Sequence, residues 1–171
     1  RARDGKMIRS FQLDGEIMAS CAFDNKRNLI LYGASDGNFC AIDIESGRKT
    51  IQFQTAAPIY STPLVYGDRA IVASLDKRIY CLNLDSGEQQ WVFSADRRIF
   101  ASPVTINGRI YIGANDGRLY EIDPETGKMR GFFQATERIT NKVVYNEQTK
   151  RFFLPRSRVS HANRRVSASV S

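Results

Sequence analysis

Histidine, cysteine and long apolar runs are scarce in this sequence of 171 residues, and each scarcity excludes a class of protein. The single histidine, His161, lies near the carboxyl end, so we expect neither a histidine-based catalytic triad nor a zinc site. The three cysteines are odd in number and form no CxxC pair, which argues against a disulfide framework. No apolar run approaches the roughly 18 residues of a membrane-spanning helix, so no membrane span is predicted.

Acidic residues are missing from the end of the chain, and this accounts for most of the formal net charge of +7. Six basic residues follow position 149 without any acid: Lys150, Arg151, Arg156, Arg158, Arg164 and Arg165. The rest of the chain carries 19 of the 25 basic residues against all 18 acidic residues. The body is therefore near neutral, and nucleic-acid binding through it is not expected, since such surfaces carry a folded basic stripe with stacking aromatics.

The segment 155–171, RSRVSHANRRVSASVS after Pro155, is rich in Ser and Arg and offers little apolar surface to offset the entropy of ordering. We expect a flexible tail there. Arg164-Arg165-Val166-Ser167 is typical of a basophilic kinase site, where a phosphate would reverse the local charge. The alternative is a truncated or artefactual end, because short strings of this kind are common by chance.

An internal period of about 40 residues organises the rest of the sequence. Three markers share it, a turn glycine, an isoleucine and an acidic turn residue: Gly5, Gly47, Gly87 and Gly127; Ile17, Ile59, Ile99 and Ile139; Asp36, Asp76 and Asp116. The sequences around the markers also align, as in NLILYGASDGNFCAID, RAIVASLDKRIYCLN and RIYIGANDGRLYEID. A sustained period of this length is the signature of a repeat architecture.

Each repeat contains short bursts of β-branched and aromatic residues separated by turn residues. In the third repeat the pattern predicts four strands: Ile99–Thr105, Arg109–Ala114, Leu119–Asp123 and Lys128–Gln134. Asn107-Gly108 and Asp116-Gly117 supply residues that tolerate positive φ in tight hairpin turns. No window in the repeats sustains the 3.6-residue period of an amphipathic helix. We therefore predict an all-β fold, a β-propeller whose four-stranded antiparallel blades each occupy one repeat.

A recurring motif closes each repeat: AIDIESGRKTI from Ala41, CLNLDSGEQQW from Cys81 and EIDPETGKMRG from Glu121. This motif resembles the AxDxxTGKxxW motif of the PQQ-like, or quinoprotein-type, propeller repeat, and the resemblance covers roughly residues 5–154. The docking tryptophan of the family motif is kept only as Trp91, with Ile51 and Gly131 at the other two positions. We expect the packing between blades to be less regular than in the family.

The resemblance implies an order of strands that runs from the central channel outward in each blade. It makes GKMIRSFQ, residues 5–12, the outermost strand of a blade whose inner strands are missing before it. Residues 17–54, 59–94 and 99–134 are then three full blades, and residues 139–154 begin a fourth. Residues 1–154 are thus predicted to be a partial propeller. We expect a fragment, or a ring completed by self-association or by a partner, and the absence of an initiator methionine at Arg1 agrees with this.

The cysteines are interpreted as packing residues. Cys40 and Cys81 occupy neighbouring positions of opposite parity in equivalent strands, so their side chains point to different faces. This usage favours a compartment that does not require disulfides. The location is otherwise open, since no signal peptide is visible in a chain that begins inside a repeat.

An enzymatic function has little support in the residues. The carboxylates Asp43 and Glu45, and likewise Asp123 and Glu125, stand beside glycine turns, where acids accept local hydrogen bonds. The resemblance includes quinoprotein dehydrogenases, which use a bound quinone (PQQ), a calcium ion and, in many members, a ring of two adjacent cysteines. No adjacent cysteines occur here, and we expect no catalytic, cofactor-binding or metal-binding residue in this chain.

Partner binding is the function that we predict, through the loops that join each blade to the next. These loops are residues 55–58, 95–98 and 136–138, and they place four charged residues on one rim: Arg97, Arg98, Glu137 and Arg138. Arginines at equivalent positions can grip a carboxylate, an acidic peptide or a phosphate through forked hydrogen bonds. The alternative is a set of solvated turns. Tyr60 and Phe100, one strand position further in, are expected to pack between blades.

The predicted function is therefore a non-catalytic propeller that acts as a protein-binding scaffold or as a sensor domain. The resemblance implies both uses, because the family includes bacterial outer-membrane assembly lipoproteins and sensor domains attached to kinases. A fragment of a PQQ-dependent dehydrogenase, with PQQ and calcium as cofactors, is the alternative.

Overall fold

The computed structural model describes residues 3–13 and 15–154, and within them the chain forms strands and no helix. The strands in chain order are β1 (Ala22–Asp24), β2 (Leu29–Gly33), β3 (Asn38–Asp43), β4 (Lys49–Gln54), β5 (Leu64–Tyr66), β6 (Arg69–Ala73), β7 (Arg78–Asn83), β8 (Gln89–Ser94), β9 (Val104–Ile106), β10 (Arg109–Gly113), β11 (Arg118–Ile122), β12 (Met129–Gln134), β13 (Val144–Asn146) and β14 (Arg151–Phe153). No helix of this part of the chain could cross a membrane. The predicted tail, 155–171, lies outside the described residues.

Consecutive strands pair into antiparallel sheets, and each sheet is one blade. In the described part of the chain, blades 1, 2 and 3 are the four-stranded sheets β1–β4, β5–β8 and β9–β12, and blade 4 is the two-stranded sheet β13–β14. A register shift recurs between the third and fourth strand of each full blade, after Ala41, Cys81 and Glu121. The prediction of a partial propeller with three full blades is confirmed.

Two strand predictions were wrong in extent. Of the predicted strand Ile99–Thr105 only the end is a strand, Val104–Ile106. Residues 99–103 instead cross from the outermost strand of blade 2 to the innermost strand of blade 3, where Ile99 and Ala101 are buried without a ladder partner. The segment 5–12, predicted to be the outermost strand of a blade, is not a strand, and no strand in the described residues pairs with it.

The core lies between the blades. One cluster joins blades 2 and 3, a second joins blades 1 and 2, and a third joins blades 3 and 4. The entering isoleucine of each blade approaches the preceding blade closely, so that a Cβ built at Gly33 would lie 2.1 Å from Ile59 and one at Gly113 would lie 2.0 Å from Ile139. The repeated isoleucine is therefore an inter-blade packing residue, and glycine is required opposite it at these two junctions.

The family's docking position is filled by a different side chain at each junction. Trp91 lies against Gly127 of the next blade and Ile51 lies against Gly87, whereas Gly47 is contacted by Phe11 and Arg9 donates to the carbonyl oxygen of Ile44. A Cβ at the fourth equivalent position, Gly131, would meet no atom within 4 Å. The position is thus used at three junctions in the described residues, although its chemistry varies as the sequence predicted.

Candidate partner-binding rim

The rim is formed by the three inter-blade loops, and the backbone anchors each of them in the same way. The amides of Thr55, Ala95 and Ala135 donate to carbonyl oxygens of the turn between the second and third strands of the same blade, at 2.9, 2.8 and 2.7 Å. The next blade is tied to the loop as well, because the Asn115 amide donates to the Arg98 carbonyl oxygen at 3.0 Å. Loops held at both ends present their side chains on a rigid frame.

The acidic turn residue of each repeat has a structural role beneath this rim. Oδ1 of Asp116 accepts a hydrogen bond from the Arg118 amide at 2.8 Å, and Oδ2 accepts one from the Tyr120 hydroxyl at 2.7 Å. Asp76 repeats both contacts in blade 2 with Arg78 and Tyr80. Burial, together with the neighbouring carboxylate, raises the pKa of both tyrosines. Because their carboxylate oxygens already accept hydrogen bonds, these acids stabilise the turn.

The four predicted rim residues, Arg97, Arg98, Glu137 and Arg138, are all exposed. Within residues 3–13 and 15–154, none of their side chains forms a hydrogen bond or an ion pair. Glu137 and Arg138 line an open cleft of about 560 Å³ together with Asn115, Asp116, Gly117, Gln134, Ala135 and Thr136. Arg98 adjoins this cleft through its carbonyl contact with Asn115, and Arg97 lies on the same loop outside the lining.

The acid nearest to the arginine pair is already neutralised. Asp96 is ion-paired with Arg118 of the next blade, whose guanidinium also lies over the ring of Phe132, 4.7 Å from its centroid. The charge of Asp96 is therefore compensated by Arg118 and not by Arg97 or Arg98. The sequence reasoning missed this ion pair, because it joins two blades and no local pattern indicates it.

Asn115 is a second residue that the sequence reasoning missed. Its Oδ1 is buried at the cleft and accepts no hydrogen bond within the described part of the chain. A buried acceptor without a donor costs about 1–3 kcal/mol, so a ligand N–H or a water molecule at this position would be stabilised. The one sequence signal for Asn115 is its position directly before Asp116, in a turn that faces the inter-blade loop.

Two arginines at the opposite end of the blades form ion pairs between blades. Arg27 forms a two-pronged pair with Asp85 of the next blade, with N–O distances of 2.6 and 2.8 Å. In blade 2, Arg69 at the start of β6 pairs with Glu125 of blade 3 at 2.6 Å and donates to the Pro124 carbonyl oxygen at 2.9 Å. The neighbouring carboxylates raise the pKa of both guanidinium groups. These arginines link neighbouring blades, whereas the side chains of the rim arginines form no ion pair or hydrogen bond in the described structure.

The remaining predicted features behave as structural elements. The rings of Tyr60 and Phe100 pack against each other from neighbouring blades, with centroids 6.2 Å apart. Asp43 accepts two hydrogen bonds from Ser46, at 2.7 and 2.6 Å, which lower its pKa. Asp123 has the same turn role in blade 3, where it accepts from the amides of Glu125 and Thr126 at 3.0 and 3.1 Å.

The cysteines are free thiols, with Cys40 and Cys81 buried and Cys21 exposed. Burial raises the pKa of Cys81 to about 12, which keeps this thiol protonated and unreactive at neutral pH. No group of three or more His, Cys, Asp or Glu side chains in the described ranges is arranged to hold a metal ion.

Comparisons with known proteins agree on the architecture. Residues 1–159 match the family model described as outer membrane protein assembly factor BamB. A search of curated proteins gave no significant match. Among solved structures, BamB from Moraxella catarrhalis superposes with a TM-score of 0.74 at 19% identity, over 83% of this chain and 48% of that one. At such identity the likeness shows the fold alone, and the chain spans about half the length of that BamB.

Two computationally designed proteins are also similar. Ika4 has a TM-score of 0.73 at 17% identity, over 84% of this chain and 88% of its own. Ika8 has a TM-score of 0.69 at 17% identity, over 80% of this chain and 43% of its own. Designed and natural proteins thus share this arrangement of repeated blades.

Proposed function

Since the chain belongs to the family of outer membrane protein assembly factor BamB, we propose that it is a non-catalytic propeller module that binds a protein partner in an assembly. The partner is an acidic peptide segment, bound at the rim by Arg98 and Arg138 with Arg97 beside them. Glu137 orients the segment, because its negative charge repels any carboxylate of the peptide that would lie next to it.

The observation that carries this proposal is the contrast between two sets of arginines. Arg27 and Arg69 are engaged in ion pairs between blades. Arg97, Arg98 and Arg138 project from anchored loops without a partner in the described residues. Unpaired guanidinium groups on loops with an anchored backbone are suited to forked hydrogen bonds with carboxylates. A scaffold or a sensor would use the same surface.

The charge of the loop 95–98 also supports the proposal. Asp96 is neutralised by its ion pair with Arg118, so the loop 95–98 presents net positive charge to solvent. Association with an acidic segment would be steered by this charge and weakened by salt, with a screening length of about 8 Å at physiological ionic strength.

Native mass spectrometry of the purified chain tests the proposal against the dehydrogenase alternative. Two probes are added separately: a glutamate-rich peptide, and PQQ together with calcium. The proposal expects a one-to-one adduct with the peptide that is lost at high salt, and an unchanged mass with PQQ and calcium. A stoichiometric adduct of PQQ and calcium, with no peptide adduct, would replace the proposal by the enzymatic alternative.

A further inference from the structure

The cleft beside the rim arginines carries the opposite charge. Its lining includes two carboxylates, Asp116 and Glu137, and one guanidinium, Arg138, so the lining is net negative. The loop 95–98, which adjoins the cleft, is net positive, because its one acid is paired with a guanidinium of blade 3. A purely acidic segment therefore matches the loop but is repelled in the cleft, whereas a segment with charges of both signs matches the two together.

Glu137 distinguishes this cleft from the other inter-blade loops. The equivalent positions of the first two loops are Ala57 and Arg97, so the third of these loops has an acid where the others have none. The Glu137 side chain is exposed and forms no ion pair in the part of the chain that the structure describes. Asp116, the other carboxylate of the lining, already accepts hydrogen bonds from its own blade. Glu137 is thus the carboxylate that is left for a ligand.

The backbone of the third loop also lacks donors that the first loop has. In the first loop the Ala57 carbonyl oxygen accepts hydrogen bonds from the hydroxyls of Thr55 and Ser74, at 2.7 and 3.0 Å. Around the Glu137 carbonyl the corresponding residues are alanine and leucine, at positions 135 and 154, and neither has a hydroxyl. This carbonyl oxygen lies at the cleft, since a Cβ built at Gly117 would be 3.0 Å from it. An N–H group of a ligand would satisfy it.

Asn115 supplies a third acceptor at the cleft. Its Oδ1 is buried and accepts no hydrogen bond among the described residues. The residue as a whole is only half-buried, and the broad χ2 torsion of asparagine lets its amide turn toward the cleft. A lysine ammonium has three donors in one compact group, so it suits a cleft that offers a carboxylate, a carbonyl and an amide oxygen.

We infer that the rim recognises a segment in which a lysine lies beside an acidic residue, with the ammonium bound in the cleft at Glu137. Arg98 and Arg138 hold the neighbouring carboxylate. This specificity rests on the proposed function, because it requires an acidic segment to occupy the rim. The two opposite charges fix the direction in which the segment lies, and Glu137 discriminates against a second acid at the position of the lysine.

Fluorescence anisotropy with matched peptides tests the inference. Each labelled peptide is rich in glutamate and carries, at one of several successive positions, either lysine or norleucine, whose side chain is similar in shape but uncharged. At the matching position the lysine peptide is expected to bind the wild-type chain about fivefold more tightly than the norleucine peptide. General attraction to a chain of net charge +7 would give the reverse order, because the norleucine peptide is the more negative of the two.

Variants at Glu137 assign the preference to this side chain. Glu137→Gln is expected to bind the lysine and norleucine peptides with equal affinity, and Glu137→Lys is expected to prefer glutamate to lysine at that position. Glu45→Gln is the matched control, because Glu45 is exposed but lies in a turn at the opposite end of the blades, and it is expected to keep the preference for lysine. Circular dichroism checks that each variant keeps its β spectrum.

The outcomes separate a failure of the inference from a failure of the proposed function. Equal binding of lysine and norleucine peptides at every position, with binding still lost in Arg98→Glu/Arg138→Glu, would overturn the inference alone. A preference for lysine that persists in Glu137→Gln would also overturn it, since the ammonium would then bind elsewhere. If no peptide of the set binds the wild-type chain, both the proposed function and the inference are wrong.

Discussion

The indole Nε1 of Trp91 donates a hydrogen bond to the carbonyl oxygen of Pro124, 2.9 Å away in the next blade. The ring also covers Gly127, whose hypothetical Cβ would lie 2.6 Å from it. The same carbonyl accepts a second hydrogen bond from Arg69, at 2.9 Å. One turn of blade 3 is thus held by two side chains of blade 2.

Alanine at Gly127 is expected to destabilise the chain more than alanine at Gly87. Both glycines have positive φ, 67° and 76°, where an L-residue costs about 1–2 kcal/mol. At Gly87 the new Cβ lies 3.5 Å from Ile51, an ordinary contact, whereas at Gly127 it collides with Trp91. We expect Gly127→Ala to lower the free energy of unfolding by about 1–3 kcal/mol more than Gly87→Ala. Urea denaturation measures the difference, and equal effects would refute the collision.

Replacing Trp91 by Phe is expected to be mild unless Arg69 is changed too. The Pro124 carbonyl then still accepts from Arg69, so loss of the indole bond costs about 1 kcal/mol. In Trp91→Phe/Arg69→Met the carbonyl loses both donors, and the destabilisation should exceed the sum of the single effects. A double-mutant cycle from urea melts measures this coupling, and strict additivity would show that the two donors act independently.

The three thiols are expected to react unequally in the native chain. Burial raises the pKa of Cys81 to about 12, and Cys40 is also buried. Partial burial raises the pKa of Cys21 too, but its side chain is exposed to the reagent. Iodoacetamide at about pH 8 should therefore add one group to the folded chain, at Cys21, and three groups in urea. Peptide mass mapping locates the adducts. Rapid alkylation of Cys81 in the folded chain would contradict its position between blades 2 and 3.

Stability should decrease in acid partly through Asp123. Its pKa is lowered from 3.8 to about 2, mainly by the Arg130 side chain and then by backbone amides of the turn. A carboxyl with a lowered folded-state pKa stabilises the chain above its unfolded pKa, and this contribution is lost as the pH falls from about 4 to 2. Arg130→Gln is expected to raise the Asp123 pKa, as read by an NMR titration of the carboxyl carbon. An unchanged pKa would assign the shift to the turn amides alone.

The repeat period predicted the blades because the same residues recur where the same contacts are made. Ile59, Ile99 and Ile139 are buried at the same point of each junction, so their spacing alone located the blade boundaries. The strand predicted from Ile99 was too long, because apolar residues that cross between blades look like strand residues in sequence. Whether such residues form a strand depends on hydrogen bonding to a neighbouring strand, and a local sequence pattern does not show this.

The sequence indicated only some features of the rim, because the others depend on contacts that are not local in sequence. Alignment of the repeats placed Arg98 and Arg138 at equivalent positions of one rim. The ion pair of Asp96 with Arg118 and the buried Oδ1 of Asn115 depend on how neighbouring blades meet. Trp91 stood out as a family docking residue, but in front of blade 1 two residues divide its contacts: Phe11 lies against Gly47, and Arg9 donates to the carbonyl oxygen of Ile44.

Binding of a fluorescein-labelled glutamate-rich peptide, followed by anisotropy, shows whether the rim arginines bind an acidic partner. The measurement compares the wild-type chain with Arg98→Glu/Arg138→Glu, and with Arg48→Glu as a change of an arginine at the opposite end of the blades. If the rim binds the peptide, the double variant weakens binding at least about tenfold, equivalent to about 1.4 kcal/mol. Arg48→Glu then changes binding less than about twofold, because its charge lies away from the rim. Equal affinities of the wild-type chain and the double variant for the peptide would show that Arg98 and Arg138 do not bind it.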